Sequence, residues 1–171
     1  MNKEQLLEEI MDHYTDLLFR IAYYYTKDIQ VSEDIVQDTF VKFYHSARYE
    51  EQGNIKAYLS KMTVNRCKDY LKSWSYRKII VQKKLFHTKH YTHKDVLIHT
   101  DETNMLDEAI LSLPLKQREA IVYFYLENMS IKEIAKLLSI SENTVKSRLR
   151  RGKELLKASL QHIEWEVLLN D

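Results

Sequence analysis

The sequence predicts an all-α protein built of two small helical domains joined by a linker. Three observations carry that prediction. The 171 residues include only two glycines and one proline, too few for a series of tight hairpin turns. Apolar side chains recur at the three-and-four spacing of helical faces over most of the chain. That periodicity then fails through one polar stretch, residues 76–104. The boundaries expected from this pattern are a first domain over 1–76, a linker over 77–104 and a second domain over 105–171. A hydrophobic content of 44% is ample for two packed cores.

The first helix is expected from Leu6 to Tyr25, where Leu7, Ile10, Tyr14, Leu17, Leu18, Ile21 and Tyr25 share one face. Ser32 is the expected cap of the second helix. Glu33 and Asp34 follow in its first turn, where carboxylates favour the helix dipole, and Val31 and Val36 are spaced as a hydrophobic staple. Ile35, Phe40, Phe43 and Tyr44 supply its buried stripe. The segment 47–54, with Gly53, reads as a loop. A third helix runs from about Ile55 to Ser73 with Leu59, Met62, Arg66 and Tyr70 along one line. In 76–104, short apolar pieces (Ile79-Ile80-Val81 and Leu85-Phe86) lie among Lys, His and Thr, with room for a helical turn or two.

The second half is the most legible. Leu113-Pro114 starts a helix whose apolar face is Ile121, Val122, Phe124 and Tyr125. Ser130-Ile131-Lys132-Glu133 has the form of a capping box and opens a short helix through Ile134, Ala135 and Leu138. A turn at Ser139-Ile140-Ser141 leads into a last helix from Glu142 to about Leu160. A short helix, a tight turn and a basic helix make a helix-turn-helix.

Charge is unevenly distributed although the net charge is only +1. Residues 1–50 hold five Lys/Arg against ten Asp/Glu, whereas 72–94 hold seven Lys/Arg and no acid, and 141–158 hold six Lys/Arg and two Glu. An acidic first part suits a protein partner, and two basic zones suit a polyanion. Cys67 is the only cysteine, so no internal disulfide forms and a Cys-based zinc site lacks ligands. With no long apolar stretch, secretion and membrane insertion are disfavoured and a cytoplasmic setting is expected.

Helical geometry locates the expected DNA face. With Val145 as origin and about 100° per residue, Leu149, Gly152 and Leu156 fall within about 40° of it and define the buried side. Asn143, Lys146, Ser147, Arg150 and Arg151 lie opposite, with Thr144 and Arg148 on the flanks. Arg can read guanine bidentately, Asn can read adenine, and Lys, Ser and Thr can hold phosphates.

These residues carry a family resemblance. Leu113-Pro114, Arg118, Glu133-Ile134-Ala135, Leu138, Ile140-Ser141 and Thr144-Val145-Lys146-Ser147-Arg148-Leu149 with Arg151 resemble region 4 of RNA polymerase sigma factors, which reads the −35 promoter element. Ser139 stands where that family often has Gly. In the first half, Asp34-Ile35-Val36-Gln37-Asp38-Thr39-Phe40 resembles the region 2 helix that docks on the coiled coil of the polymerase β′ subunit. Tyr58-Leu59, Met62-Thr63, Asn65 and Asp69 resemble the helix that follows it and faces the −10 element. The family often has Trp at Tyr58 and Ile-Ala at Met62-Thr63.

The 77–104 segment is too short for a further folded domain, which points to the compact extracytoplasmic-function (ECF) type. The resemblance implies polymerase docking through Asp34, Gln37 and Asp38, and −10 contacts from Tyr58, Lys61, Asn65, Arg66, Lys68 and Trp74. Further candidates are Tyr49, Tyr70 and Tyr76 for stacking and Lys72, Arg77 and Lys78 for backbone charge. About two of the five aromatics are expected to face DNA, since most aromatics in small helical domains are core. The implied partners are core polymerase, through its β′ clamp coiled coil and β subunit, promoter DNA and an anti-sigma factor. No cofactor, metal or small-molecule substrate is implied.

Two other readings compete. A helix-turn-helix regulator that is not a polymerase subunit explains 113–157 equally well, but gives no reason for an acidic helix at 32–46 followed by a basic aromatic one at 55–76. An enzyme is weaker. Asp34 and Asp38 stand one turn apart, yet nothing completes a metal-ligand set. His87, His90 and His93 lack supporting carboxylates until Asp95. No phosphate-binding Gly loop or nucleophile motif is present.

Overall fold

The structure, a computed structural model, describes residues 2–46, 54–86 and 101–160. All regular structure among them is helical, and the chain divides into two compact units, Met1–Thr92 and His93–Asp171.

The first unit contains α1 (Lys3–Thr26), α2 (Ile29–His45), α3 (Ile55–Lys72) and α4 (Trp74–Phe86). The first three pack on one another around Ile10, Leu18, Val36, Phe40, Phe43 and Leu59, and α4 packs on α3. A reciprocal pair of hydrogen bonds between Asn2 and Gln5 starts α1. Lys27 ends it in a left-handed conformation (φ 57°), its amide donating to the Tyr23 carbonyl.

That reversal lets α2 begin at once, and it corrects the expected cap. Asp28, not Ser32, caps α2, its carboxylate accepting from the Val31 amide at 3.0 Å. Ser32 instead lies inside the helix, fully buried, donating to the Asp28 carbonyl at 2.6 Å and meeting the Thr26 hydroxyl at 2.9 Å.

The buried line of α3 is Leu59, Ser60, Thr63, Val64 and Cys67, whereas Met62, Arg66 and Tyr70 are half-buried. An apolar-only pattern misplaces this face because two of its members are hydroxyl residues. Thr63 donates to the Leu59 carbonyl, Thr39 of α2 donates to the Ile35 carbonyl, and the two hydroxyls lie 3.3 Å apart. A hydroxyl satisfied by its own helix can be buried without another donor or acceptor.

After an extended residue at Ser73 (ψ 152°) the chain returns to helix and continues to Phe86, past the point where side-chain periodicity fades. The Ser73 hydroxyl accepts from the Tyr76 amide at 3.3 Å, and Tyr76 packs edge-on against Tyr70 with ring centres 5.8 Å apart. Those local contacts sustain the first turns of α4. The loop residues 47–53, including Tyr49, and the histidines His87, His90 and His93 lie outside the described residues.

The second unit contains α5 (Asp101–Ser112), α6 (Leu115–Ile121), a π-helical turn (Val122–Leu126), α7 (Ile131–Leu138) and α8 (Glu142–Ser159). Helix α8 packs on α5, α6 and α7. Pro114 stands at the N-cap of α6. Ile121 and Val122 are buried as expected, but Tyr123 joins them while Phe124 and Tyr125 are only half-buried. The π turn is the reason: the Glu127 amide reaches the Val122 carbonyl five residues back, so one extra residue turns the following side chains around the axis.

Candidate nucleic-acid and polymerase interface

The recognition helix is positioned by its two junctions. Ser130 and Glu133 form the expected capping box at the start of α7, with Ser130 Oγ accepting from the Glu133 amide at 3.1 Å and Glu133 Oε2 accepting from the Ser130 amide at 2.7 Å. Ser139 ends α7 with φ 56°, the left-handed conformation for which Gly is the low-cost residue. Ser141 then caps α8, its hydroxyl accepting from the Thr144 amide at 3.1 Å.

Within α8 the buried residues are Val145, Leu149, Gly152 and Leu156. Asn143, Lys146, Ser147, Arg150 and Arg151 are exposed, and Thr144 and Arg148 are intermediate. Gly152 is a site of close helix approach, since a Cβ there would stand 2.7 Å from Ile121 Cγ1 on α6. Arg151 forms a surface pair with Glu154 at 3.2 Å. Arg148 is turned differently: its Nη1 lies 3.5 Å from Oε2 of Glu119, a residue that hydropathy patterning gave no reason to single out.

In the first unit, Asp34, Gln37 and Asp38 stand on the exposed side of α2. Beside them is a feature the sequence reading missed. Leu7, Met11, Phe19, Val36, Val41 and Tyr44 line an open groove between α1 and α2, with Glu4 and Glu33 also bordering it. Val41 is 57% exposed. Its signal is an apolar residue one turn after Gln37, on a face otherwise polar.

On α3 the structure separates residues that the sequence grouped. Lys61, Asn65, Lys68 and Lys72 follow one another at four- and three-residue steps along one flank. Arg66 lies about 130° around the helix from the middle of that row. It pairs with Asp38 of α2, while its Nε is buried with no hydrogen-bond partner. Partial burial, and then the neighbouring Lys68 charge, lower the Lys61 pKa. Tyr58 is half-buried and holds the fold, its ring against Phe43 and its hydroxyl 3.0 Å from Ser46 Oγ. Tyr70 and Tyr76 pack on each other, and the Trp74 side chain lies outside the described residues.

Burial pushes the Cys67 thiol up to about 12, leaving it protonated and inert at neutral pH. Among the described residues, no group of three or more His, Cys, Asp or Glu side chains is placed to hold a metal ion. No helix there is long and apolar enough to cross a membrane.

Comparison with known proteins accords with this division. The sigma-70 region 2 model matches residues 10–75 and the sigma-70 region 4 model matches residues 103–156. The RNA polymerase sigma factor SigV of Bacillus subtilis (strain 168) is 30% identical over 159 residues, covering 92% of each chain. The ECF RNA polymerase sigma factor SigW of the same organism is 25% identical over 173 residues, covering 91% of this chain and 89% of SigW. Among solved structures, the sigma factor RpoE of Bartonella quintana, crystallised with the anti-sigma factor NepR, shares the fold with a TM-score of 0.75. It is 22% identical, and the match covers 92% of this chain and 98% of RpoE. CnrH, solved with the cytosolic domain of CnrY, gives a TM-score of 0.65 at 21% identity, covering 94% of this chain and 91% of CnrH. With matches to both sigma-70 regions in order and relatives aligned over nearly their whole lengths, this chain belongs to the ECF family of RNA polymerase sigma factors.

Proposed function

We propose that this chain binds core RNA polymerase, directs it to promoters and assists DNA opening, and that it does so as a binding subunit rather than an enzyme. The observation that carries the DNA assignment is the division of α8 into a buried stripe and an opposite face of Asn143, Lys146, Ser147, Arg150 and Arg151, presented by a capped helix-turn-helix. Those residues, with Thr144 at the edge, are assigned to the −35 element. The row Lys61, Asn65 and Lys68 on α3 is assigned to the −10 region, with Trp74 and Tyr58 at its two ends in sequence. Arg66 reaches DNA only by leaving Asp38.

The docking surface is assigned to Asp34, Gln37 and Asp38 on α2, extended by the groove around Val41. Carboxylates bordering an exposed apolar strip suit a partner helix that carries both basic and apolar side chains, and the family resemblance implies the β′ clamp coiled coil as that partner. The β subunit is the second expected polymerase contact. An anti-sigma factor is inferred by analogy with RpoE and NepR, and a cytoplasmic location from the match to the sigma-70 regions. The functional division is 1–76 for core docking and the −10 element, 77–104 as connection and 105–171 for the −35 element.

Run-off transcription with core polymerase on genomic fragments tests the activity and yields promoters in the same assay. Transcripts that start at discrete sites only when the chain is present are the expected result. Binding to DNA without copurification of core polymerase would instead support the helix-turn-helix regulator. Asp34→Lys with Asp38→Lys is expected to weaken core capture while helicity is retained, and unchanged capture would remove the docking assignment.

A further inference from the structure

Arg148 belongs by sequence to the flank of the recognition face, yet its guanidinium is directed at Glu119 of α6. Nη1 lies 3.5 Å from Oε2, with the Arg side chain 16% exposed and the Glu side chain 4% exposed. To reach a base edge, Arg148 would have to swing its largely buried guanidinium away from Glu119 and out of the α6–α8 interface. One turn further along α8, Gly152 brings the helix close to Ile121 of the same α6. Contacts on successive turns fix the rotation and tilt of a helix as well as its distance, and Asn143, Lys146 and Ser147 on the outer face stand just N-terminal to this clamp.

We infer that Arg148 is a positioning residue: through Glu119 it holds the angle at which α8 offers Asn143, Lys146, Ser147 and Arg151 to DNA, and it does not itself read a base. The inference rests on the assignment of α8 to DNA made above. Base reading and positioning make opposite demands on Glu119. If Arg148 reads DNA, neutralising Glu119 frees the guanidinium, removes a nearby negative charge, and leaves affinity equal or higher. If Arg148 positions the helix, neutralising Glu119 lowers affinity as surely as removing Arg148.

The test uses the full chain with core polymerase and a pool of duplexes randomised over one helical turn, sequenced before and after selection. The wild type is expected to enrich a motif. Arg148→Ala and Glu119→Gln should each weaken binding to the selected duplex about tenfold while enriching the same motif. The double variant should bind no worse than either single one, and Arg148→Lys should fall between wild type and alanine. Affinities are compared at a temperature where circular dichroism shows each variant fully folded, so that lost stability alone does not move them. If Arg148→Ala does not fold, Arg148→Lys and Glu119→Gln carry the test.

A motif relaxed at one position in Arg148→Ala, or undiminished affinity in Glu119→Gln, overturns the positioning role and leaves the DNA assignment standing. A wild-type complex that enriches no motif overturns the DNA assignment itself, and the positioning role with it.

Discussion

Two arginines, one in each unit, cross to a carboxylate on a neighbouring helix, and they do so in opposite surroundings. Arg66 of α3 meets Asp38 of α2 with side chains 34% and 53% exposed, whereas Arg148 of α8 meets Glu119 of α6 with side chains 16% and 4% exposed. Water competes for the first pair and screens it, so its members can be exchanged for other partners at little cost. The second pair is largely shielded from water, so parting it costs more than parting the first. The difference teaches how each unit presents its functional surface. On the proposed assignments, the first unit's exposed pair can rearrange on a partner, and the second holds one helix in place so that its outer face is offered to DNA as built.

If the second unit is the clamped one, its tightest contact should give the largest effect. Gly152→Val places a branched side chain where even a Cβ lies 2.7 Å from Ile121 Cγ1 and 3.0 Å from Cδ1. Replacing a helical Gly ordinarily recovers up to about 1 kcal/mol of propensity, less for the β-branched Val. Overpacking costs typically about 1–3 kcal/mol and is expected to win. Chemical unfolding monitored by helicity should show the net loss in the second unit. A neutral or stabilising outcome would mean that α6 and α8 can separate freely, and would break the comparison.

Next in size is the start of the helix-turn-helix. Ser130→Ala removes the hydroxyl that accepts from the Glu133 amide and disrupts a reciprocal cap, at an expected cost of about 1 kcal/mol. Glu133→Ala should cost less because the Ser130 acceptor remains. Equal losses in the two variants would show that the reciprocal bond from the Ser130 amide matters as much as the cap itself.

The capping box was readable because its residues are adjacent and its chemistry is local. The buried stripe of α8 was readable for a related reason, since Val145, Leu149, Gly152 and Leu156 repeat at helical spacing. What sequence missed depends on chain reversals and on neighbours distant in sequence. Ser32 has the right chemistry for a cap, but Lys27 turns the chain early enough for Asp28 to take that place. Thr39 and Thr63 read as polar surface until α2 and α3 bury them against each other. The direction of Arg148 depends on Glu119, 29 residues earlier, which no helical periodicity brings together with it. The family resemblance identified the two functional regions, but did not decide which of their cations are already engaged.

A smaller effect of opposite sign is expected at Ser139. Its φ of 56° is costly for a residue with a Cβ, so Ser139→Gly should raise the stability of the second unit by about 0.5–1 kcal/mol. The gain is partly offset by the greater freedom glycine gives the unfolded chain. A higher unfolding midpoint with unchanged DNA affinity is the expected result. Reduced affinity despite higher stability would show that the Ser139 side chain helps to aim α8.

The smallest stability effect is expected where the two faces assigned to docking and to the −10 element touch in the first unit. Asp38→Asn removes one charge of an exposed pair, and such pairs contribute roughly 0–1 kcal/mol. Although its Nε is buried, the Arg66 side chain as a whole is 34% exposed, so water can take the place of the Asp38 carboxylate. A double-mutant cycle between Asp38→Asn and Arg66→Met should therefore give a coupling below about 0.5 kcal/mol in unfolding, and added salt should reduce it further. Capture of core polymerase by Asp38→Asn should nevertheless weaken, because the carboxylate is assigned to docking rather than to the fold. A coupling well above 1 kcal/mol would make Arg66–Asp38 a structural clamp like Arg148–Glu119, and Arg66 could not then turn to DNA without loosening α2 from α3.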